Sequence, residues 1–305
     1  MFTRAFSQML AAAAPGNPAL VRQPIIRDAR LVGQHPAGLN AAFATIQLLL
    51  ALGIAWRPAV RLALGASVAW ALSVWWLGEG LGGVLTGTAS PVSGARGPAV
   101  LYALLAVLLW PRGRGSAAAR PGDPTSPFMT APAETAPFAA APAETAPFAA
   151  ARAVGAPAAR AAWLILWASL AYFALLPANR APQALHDTLS GLTGGEPPWL
   201  ATISRDGAAL LAHQGLAASV MLAALLTLIA VGVYLPPSAA RAVLAVAAVL
   251  AAVIWVAAQA LGGVLTGSGT DPDTGPLLIL MVLAFWPAGG PVGRGSSARG
   301  PRGGQ

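Results

Sequence analysis

The chain has 305 residues, of which 56% are hydrophobic and only 9% charged, and its mean hydropathy is +0.66. Soluble domains carry about 25% charged residues, so this composition excludes a water-covered globule and points to the bilayer as solvent. The net charge of +8 comes from Arg alone, placed between and beyond apolar runs rather than on one face, which excludes a nucleic-acid-binding domain.

There is no Cys, hence no disulfide, thiolate metal site or cysteine nucleophile. Residues 1–37 lack a charged start followed by an apolar core, so no signal peptide is read there. An all-Arg basic set with abundant Ala, Gly and Pro is the codon signature of a high-GC bacterial genome.

A membrane-crossing helix needs about 20 mostly apolar residues. In chain order, residues 2–37 read as an outer loop, and spans are predicted at 38–56 and 62–85, with a shorter one at 98–110. Residues 112–160 are rich in Ala, Pro, Gly, Ser and Thr and carry the decapeptide APAETAPFAA at 131–140 and again at 141–150. Such a segment has too little apolar surface to offset the entropy of ordering, and it is read as a disordered cytoplasmic linker. Spans follow at 161–177, 208–235 and 241–265, with a second short one at 276–286 and a Gly/Arg-rich tail at 289–305.

Arg placement orients the spans. Arg57 and Arg61, then Arg112, Arg114 and Arg120, then Arg241, then Arg294, Arg299 and Arg302 all fall on one side, read as the cytoplasm of a bacterial cell. Asp187, Glu196, Asp206, Asp271 and Asp273 fall on the other. Arg4, Arg22, Arg27 and Arg30 run against this rule, because they lie on the outer side before the first span.

The stretch LGGVLTG occurs twice, at Leu81–Gly87 and Leu261–Gly267, each time after a long apolar run. Around it Arg61 matches Arg241, Trp75 matches Trp255, Glu79 matches Gln259, and Trp110-Pro111 matches Trp286-Pro287. Upstream, His35 before Gly38 parallels His213 before Gly215. The chain therefore reads as two units: 1–111, an outer loop with three spans, and 161–288, with four. The span at 161–177 has no counterpart before residue 1, so the first unit is expected to lack an initial helix. With four spans in a complete unit, the two units are expected to point the same way, as parallel repeats do. The expected fold is an all-α polytopic transmembrane helical bundle.

The runs AAFATIQLLLALGIAWRPAVRLAL, WALSVWWLGEGLGGVLTGTASP and GGVLTGSGTDPDTGPLL resemble a family of uncharacterised actinobacterial membrane proteins. In that family an apolar helix precedes the residues resembling MFTRAF, which implies the missing span. More loosely, the layout of each unit is similar to DoxX-type four-helix membrane proteins, some of which are associated with thiosulfate–quinone oxidoreduction. That likeness implies a quinone- or sulfur-linked accessory role with a redox partner protein, and it assigns no catalytic residue.

Two readings of the repeated motif stand. In one, Gly78 and Gly82, Gly83 and Gly87, and Gly263 and Gly267, each pair four residues apart, let helices approach closely in lipid. The glycines of the motif, Gly262 with them, would also end a helix by taking positive φ. Thr86 and Thr266 would bond back to the chain, and Pro98 and Pro276 would open the next helix. In the other, Glu79 is a carboxylate inside a span, costly in lipid and therefore facing a cavity or partner. Gln259 is its non-titrating twin, and His35 and His213 open spans on the same side, so a His35–Glu79 contact is a candidate.

Asp271 and Asp273 supply too few oxygens for Ca²⁺ and read as a turn, and no metal or cofactor is expected. The preferred role is a non-enzymatic structural or accessory protein of the bacterial plasma membrane. Its expected partner is the lipid bilayer, with a homo-oligomer possible. The alternatives are a transporter or channel built on Glu79, and the redox accessory implied by the DoxX likeness.

Overall fold

The computed structural model describes residues 5–94, 97–111, 148–192, 194–266, 269 and 271–287. Among these, all regular structure is helical. The first half comprises α1 (Ala5–Ala12), α2 (Ala19–Gln34), α3 (Pro36–Ala55), α4 (Val60–Leu77), a tight turn at Gly80–Gly83, and α5 (Pro98–Leu108). Then come α6 (Ala149–Val154), α7 (Ala156–Ala174), α8 (Pro177–Arg180), α9 (Ala184–Ser190) and α10 (Pro198–Leu211). The chain closes with α11 (Gly215–Gly232), α12 (Pro237–Ala258), a tight turn at Ala260–Gly263, and α13 (Thr274–Ala284). Proline stands in the first turn of α3, α5, α7, α10 and α12, where its missing N–H costs nothing.

Four helices are long and apolar enough to cross a membrane: α3, α4, α11 and α12. Helices α5 and α13 are apolar but shorter. The spans expected at 62–85 and 241–265 are shorter as helices, because each stops before its LGGVLTG stretch. The one expected at 208–235 is broken: α10 ends at Leu211, His213 takes φ 63°, and α11 restarts at Gly215.

The segment expected as a span at 161–177 is α7, and it is not among those four. One face of it is packed inside the protein, with Trp163, Leu166, Trp167 and Leu170 buried in a cluster shared with α5, α11, α12 and α13, while Ile165 and Tyr172 on the other face are exposed. Trp163 donates its indole N–H to the Ile229 carbonyl at 2.9 Å.

Helices pair in the same way in each half. Helix α3 packs on α4, and α4 on α5; α11 packs on α12, and α12 on α13. The short pairs α1–α2 and α9–α10 lie against α4 and α12 through α2 and α10. The halves meet where α5 packs on α13. The segments expected as outer loops are thus helical. Helix α2 buries Val21, Ile25, Ala29 and Val32, one face at helical spacing, and leaves Arg22, Arg27 and Arg30 exposed.

Residues 112–147, most of the expected linker with the first decapeptide, and the tail at 289–305 lie outside the described residues. The end of the linker, 148–160, is not disordered as expected. Phe148 is 4% exposed and stacks on Phe285 with ring centroids 5.0 Å apart. Ala150 and Ala151 of α6 are also buried in the central cluster. A single aromatic side chain supplies enough apolar area to anchor a composition that would otherwise stay in solvent.

Candidate functional site at the two LGGVLTG turns

Each motif begins as a left-handed turn. Gly80, Leu81, Gly82 and Gly83 have φ of 55°, 58°, 62° and 71°, and Ala260, Leu261, Gly262 and Gly263 have φ of 46°, 56°, 68° and 67°. Left-handed backbone costs an L-residue roughly 1–2 kcal/mol, which is why three of the first four and two of the second are Gly. Both turns close the same way: Thr86 Oγ1 donates to the Gly83 carbonyl and Thr266 Oγ1 to the Gly263 carbonyl, each at 2.9 Å.

These glycines therefore do not form a small-residue stripe along a helix. Gly82, Gly83, Gly262 and Gly263 lie in the turns, and Gly87, with φ 72°, lies beyond the first. Gly78 caps α4. Gly267 lies outside the described residues. The turns are tightly covered. A Cβ on Gly80 would lie 2.6 Å from the Ala13 carbonyl, and one on Gly262 would lie 2.7 Å from the Pro272 carbonyl carbon.

Glu79 and Gln259 stand immediately before these turns, past the ends of α4 and α12. Each reaches the N-terminus of the next apolar helix. Glu79 Oε1 accepts from the Ala99 N–H of α5 at 3.0 Å. Gln259 Oε1 accepts from the Gly275 N–H of α13 at 3.1 Å, and its Nε2 donates to Thr274 Oγ1 at 2.7 Å. The first N–H groups of a helix have no partner within it, and these side chains supply one.

The twins differ in completeness. Gln259 is 5% exposed with both ends of its amide bonded. Glu79 is half-buried, and its Oε2 is shielded from solvent without a hydrogen-bond partner. Glu79 lies two residues beyond the last residue of α4. Burial pushes its carboxyl up to about 8, the Ala99 N–H opposes this, and the nearby Asp271 and Asp273 add to the rise. Those aspartates come from the other half. Gly94 of the first half lies so close to Asp273 that a Cβ there would be 2.8 Å from Asp273 Oδ1. Burial also raises Asp273, against the pull of the Thr274 N–H.

Asp273 caps α13 by accepting from the Thr274 N–H at 2.6 Å, and Asp271 accepts from the Asp273 N–H at 2.6 Å. Among the described residues no group of three His, Asp or Glu side chains is arranged to hold a metal ion. His35 does not bond to Glu79, whose one bonded oxygen accepts from Ala99 and whose other has no partner. His213 is bonded instead to Gln183 Nε2 at 3.0 Å, and His186 pairs with Asp187 at 3.2 Å.

One member of the site was not read from the sequence as a site residue. Asn17, 5% exposed, donates to the Ala13 carbonyl at 2.9 Å and holds the α1–α2 connection where it covers Gly80. The Asn17-Pro18 pair, a common start to a turn, was the available signal. Trp75 and Trp255, matched by sequence, differ in bonding: Trp255 donates to the Pro272 carbonyl at 2.8 Å, whereas the Trp75 N–H is buried and unpartnered. Trp75 also lines an open apolar groove of about 370 Å³ with Leu20, Val21, Leu72, Trp76 and Leu81.

No family model matches this chain, and no curated protein or solved structure matches it.

Proposed function

We propose that this is a non-enzymatic structural or accessory protein of the bacterial plasma membrane, built from two parallel copies of one helical unit. The supporting observation is that Glu79 and Gln259 do the same job: each ties the end of one apolar helix to the start of the next across a left-handed turn. An amide at one site and an acid at the other suits a fastening role, since Gln259 cannot titrate. On this reading LGGVLTG is a rigid corner on the outer side, and the Arg-rich side is cytoplasmic.

Thermal unfolding in detergent tests it. Purified protein and Glu79→Gln are scanned against quinones and divalent cations at fixed pH. A fastening role predicts no ligand-dependent midpoint shift. Saturation at 100-fold the Kd adds about 2.7 kcal/mol, so a shift abolished by Glu79→Gln overturns this reading. Sidedness is checked with Leu265→Cys, 50% exposed in a chain without Cys. An impermeant thiol reagent is expected to label it from outside intact cells, and labelling only from the cytoplasmic face defeats the orientation.

The unpartnered Oε2 of Glu79 supports a second reading, a transporter or channel in which that carboxyl takes up a proton or cation. The same scan separates the two, because only this reading predicts a cation-dependent shift that Glu79→Gln removes.

A further inference from the structure

Helix α2 packs on α4 and on the turn at Gly80–Gly83 through its apolar side. The rest of its surface is of two kinds. Leu20, 81% exposed, and Leu31 are apolar, whereas Arg22, Arg27 and Arg30 are exposed cations. Among the described residues none of these three guanidinium groups pairs with a carboxylate. The helix carries three Arg against one Asp, so its surface is positive.

The start of α2 and the last turns of α4 together form the open groove lined by Leu20, Val21, Leu72, Trp75, Trp76 and Leu81. Leu72 lies five residues, roughly 7.5 Å, before the end of α4. The groove therefore runs from within the apolar length of that helix to the turn, and its two Trp stand where aromatic rings meet the headgroup layer. Along α2, Leu20, Arg27 and Leu31 are seven and four residues apart and lie on one side of the helix. Arg27 is thus on the groove side, roughly 10 Å along from Leu20, and Arg30 follows one turn later.

Helix α7, which covers α11 in the second half, does not extend to the counterpart of this groove. That counterpart is formed by Trp199 and Leu200 of α10 with Ala252 and Val256 of α12, and none of them belongs to the cluster around α7, whose α12 members are Leu244, Ala247 and Ala251. Trp199 stays 52% exposed. The halves differ instead in lining, because Leu72 and Trp76 stand where Ala252 and Val256 stand.

We propose that this groove binds an anionic phospholipid, with one acyl chain along Leu20, Val21, Leu72, Trp76 and Leu81 and the phosphate and charged headgroup at Arg27 and Arg30. Two features select this occupant. An apolar groove opening from the span accepts an acyl chain without burying any polar group. Guanidinium groups bind phosphate oxygens with two parallel hydrogen bonds, and basic residues on an amphipathic helix at the membrane surface attract anionic lipid. Lipid on their own leaflet also supplies the counter-charge for arginines that run against the charge asymmetry of the spans.

The experiment is native mass spectrometry of the full chain, delipidated in detergent and titrated with phosphatidylglycerol or with phosphatidylcholine of the same acyl chains. Phosphatidylglycerol is expected to bind more tightly by roughly five-fold or more. Arg27→Gln is expected to weaken phosphatidylglycerol binding roughly five-fold, the scale for one basic side chain at an anionic surface. Arg205→Gln, which removes an exposed Arg of α10, is expected to leave it unchanged. Trp76→Ala, at an exposed position, is expected to weaken both lipids alike. Glycerol phosphate, a headgroup without chains, is expected not to displace the lipid at equal concentration. Equal affinity for the two lipids overturns the proposal, as does an equal loss from Arg205→Gln, which would mean diffuse attraction. Displacement by glycerol phosphate, or binding unaffected by Trp76→Ala, removes the groove from the site and overturns it too.

Discussion

Glu79 couples the turn to pH. Its carboxyl, ordinarily near 4.5, is raised to about 8 in the fold, so the folded state holds a proton that the unfolded state releases between those values. The unfolded chain binds fewer protons in this window, and stability therefore falls as pH rises from about 4.5 through about 8. Glu79→Gln is expected to flatten most of that slope and to raise the thermal midpoint at pH 8, as Gln259 already does the same job uncharged. Asp273 is raised too, so a smaller slope in the same direction is expected to remain. Denaturation midpoints from pH 4 to pH 9 for both proteins check this, and a slope equal in the two would remove Glu79 from the account.

The two turns, as elements, test each other. Position 80 is Gly at φ 55° and its counterpart 260 is Ala at φ 46°. Ala260→Gly removes left-handed strain with the loss of one buried methyl group, and is expected to change stability by between zero and about +1 kcal/mol. Gly80→Ala adds the same strain together with a contact 2.6 Å from the Ala13 carbonyl, and is expected to cost about 2–4 kcal/mol. The two midpoints should move in opposite directions, or the first not at all. Equal losses from both would mean that the turn geometry is not what selects these residues.

Gly97 acts at the same scale, at the start of α5. It takes φ 79°, and a Cβ there would collide with the Glu79 carboxyl. Gly97→Ala is expected to push the Glu79 carboxyl away from the start of α5 and to cost about 2–4 kcal/mol, which thermal unfolding reads.

At the scale of the whole molecule, α7 and the stretch leading into it hold the halves together. The central cluster draws on α5 from the first half and on α7, α11, α12 and α13 from the second, and Phe148 completes it against Phe285. Phe148→Ala is expected to cost about 3 kcal/mol, the scale of emptying an aromatic site in a packed core, and to expose α6 to limited proteolysis. A midpoint within about 0.5 kcal/mol of the parent would show that the segment only rests on the surface.

The sequence by itself determined the medium and the material: long apolar runs with Arg between them must become helices, because a backbone in lipid has to satisfy its own hydrogen bonds. It also marked the corners, since runs such as LGGVLTG, with Gly at successive positions, tolerate a handedness that other residues resist. It did not disclose that 5–37 and the described residues of 178–207 are largely helical, since their apolar faces acquire a purpose only against α4 and α12. Nor did it reveal which face of α7 is buried, or Phe148 as an anchor. Only the tertiary structure decided these points, and with them the different fates of Glu79 and Gln259. Burial, hydrogen-bond completion and pKa depend on which distant groups come within a few ångströms, and periodicity along a chain carries no record of that.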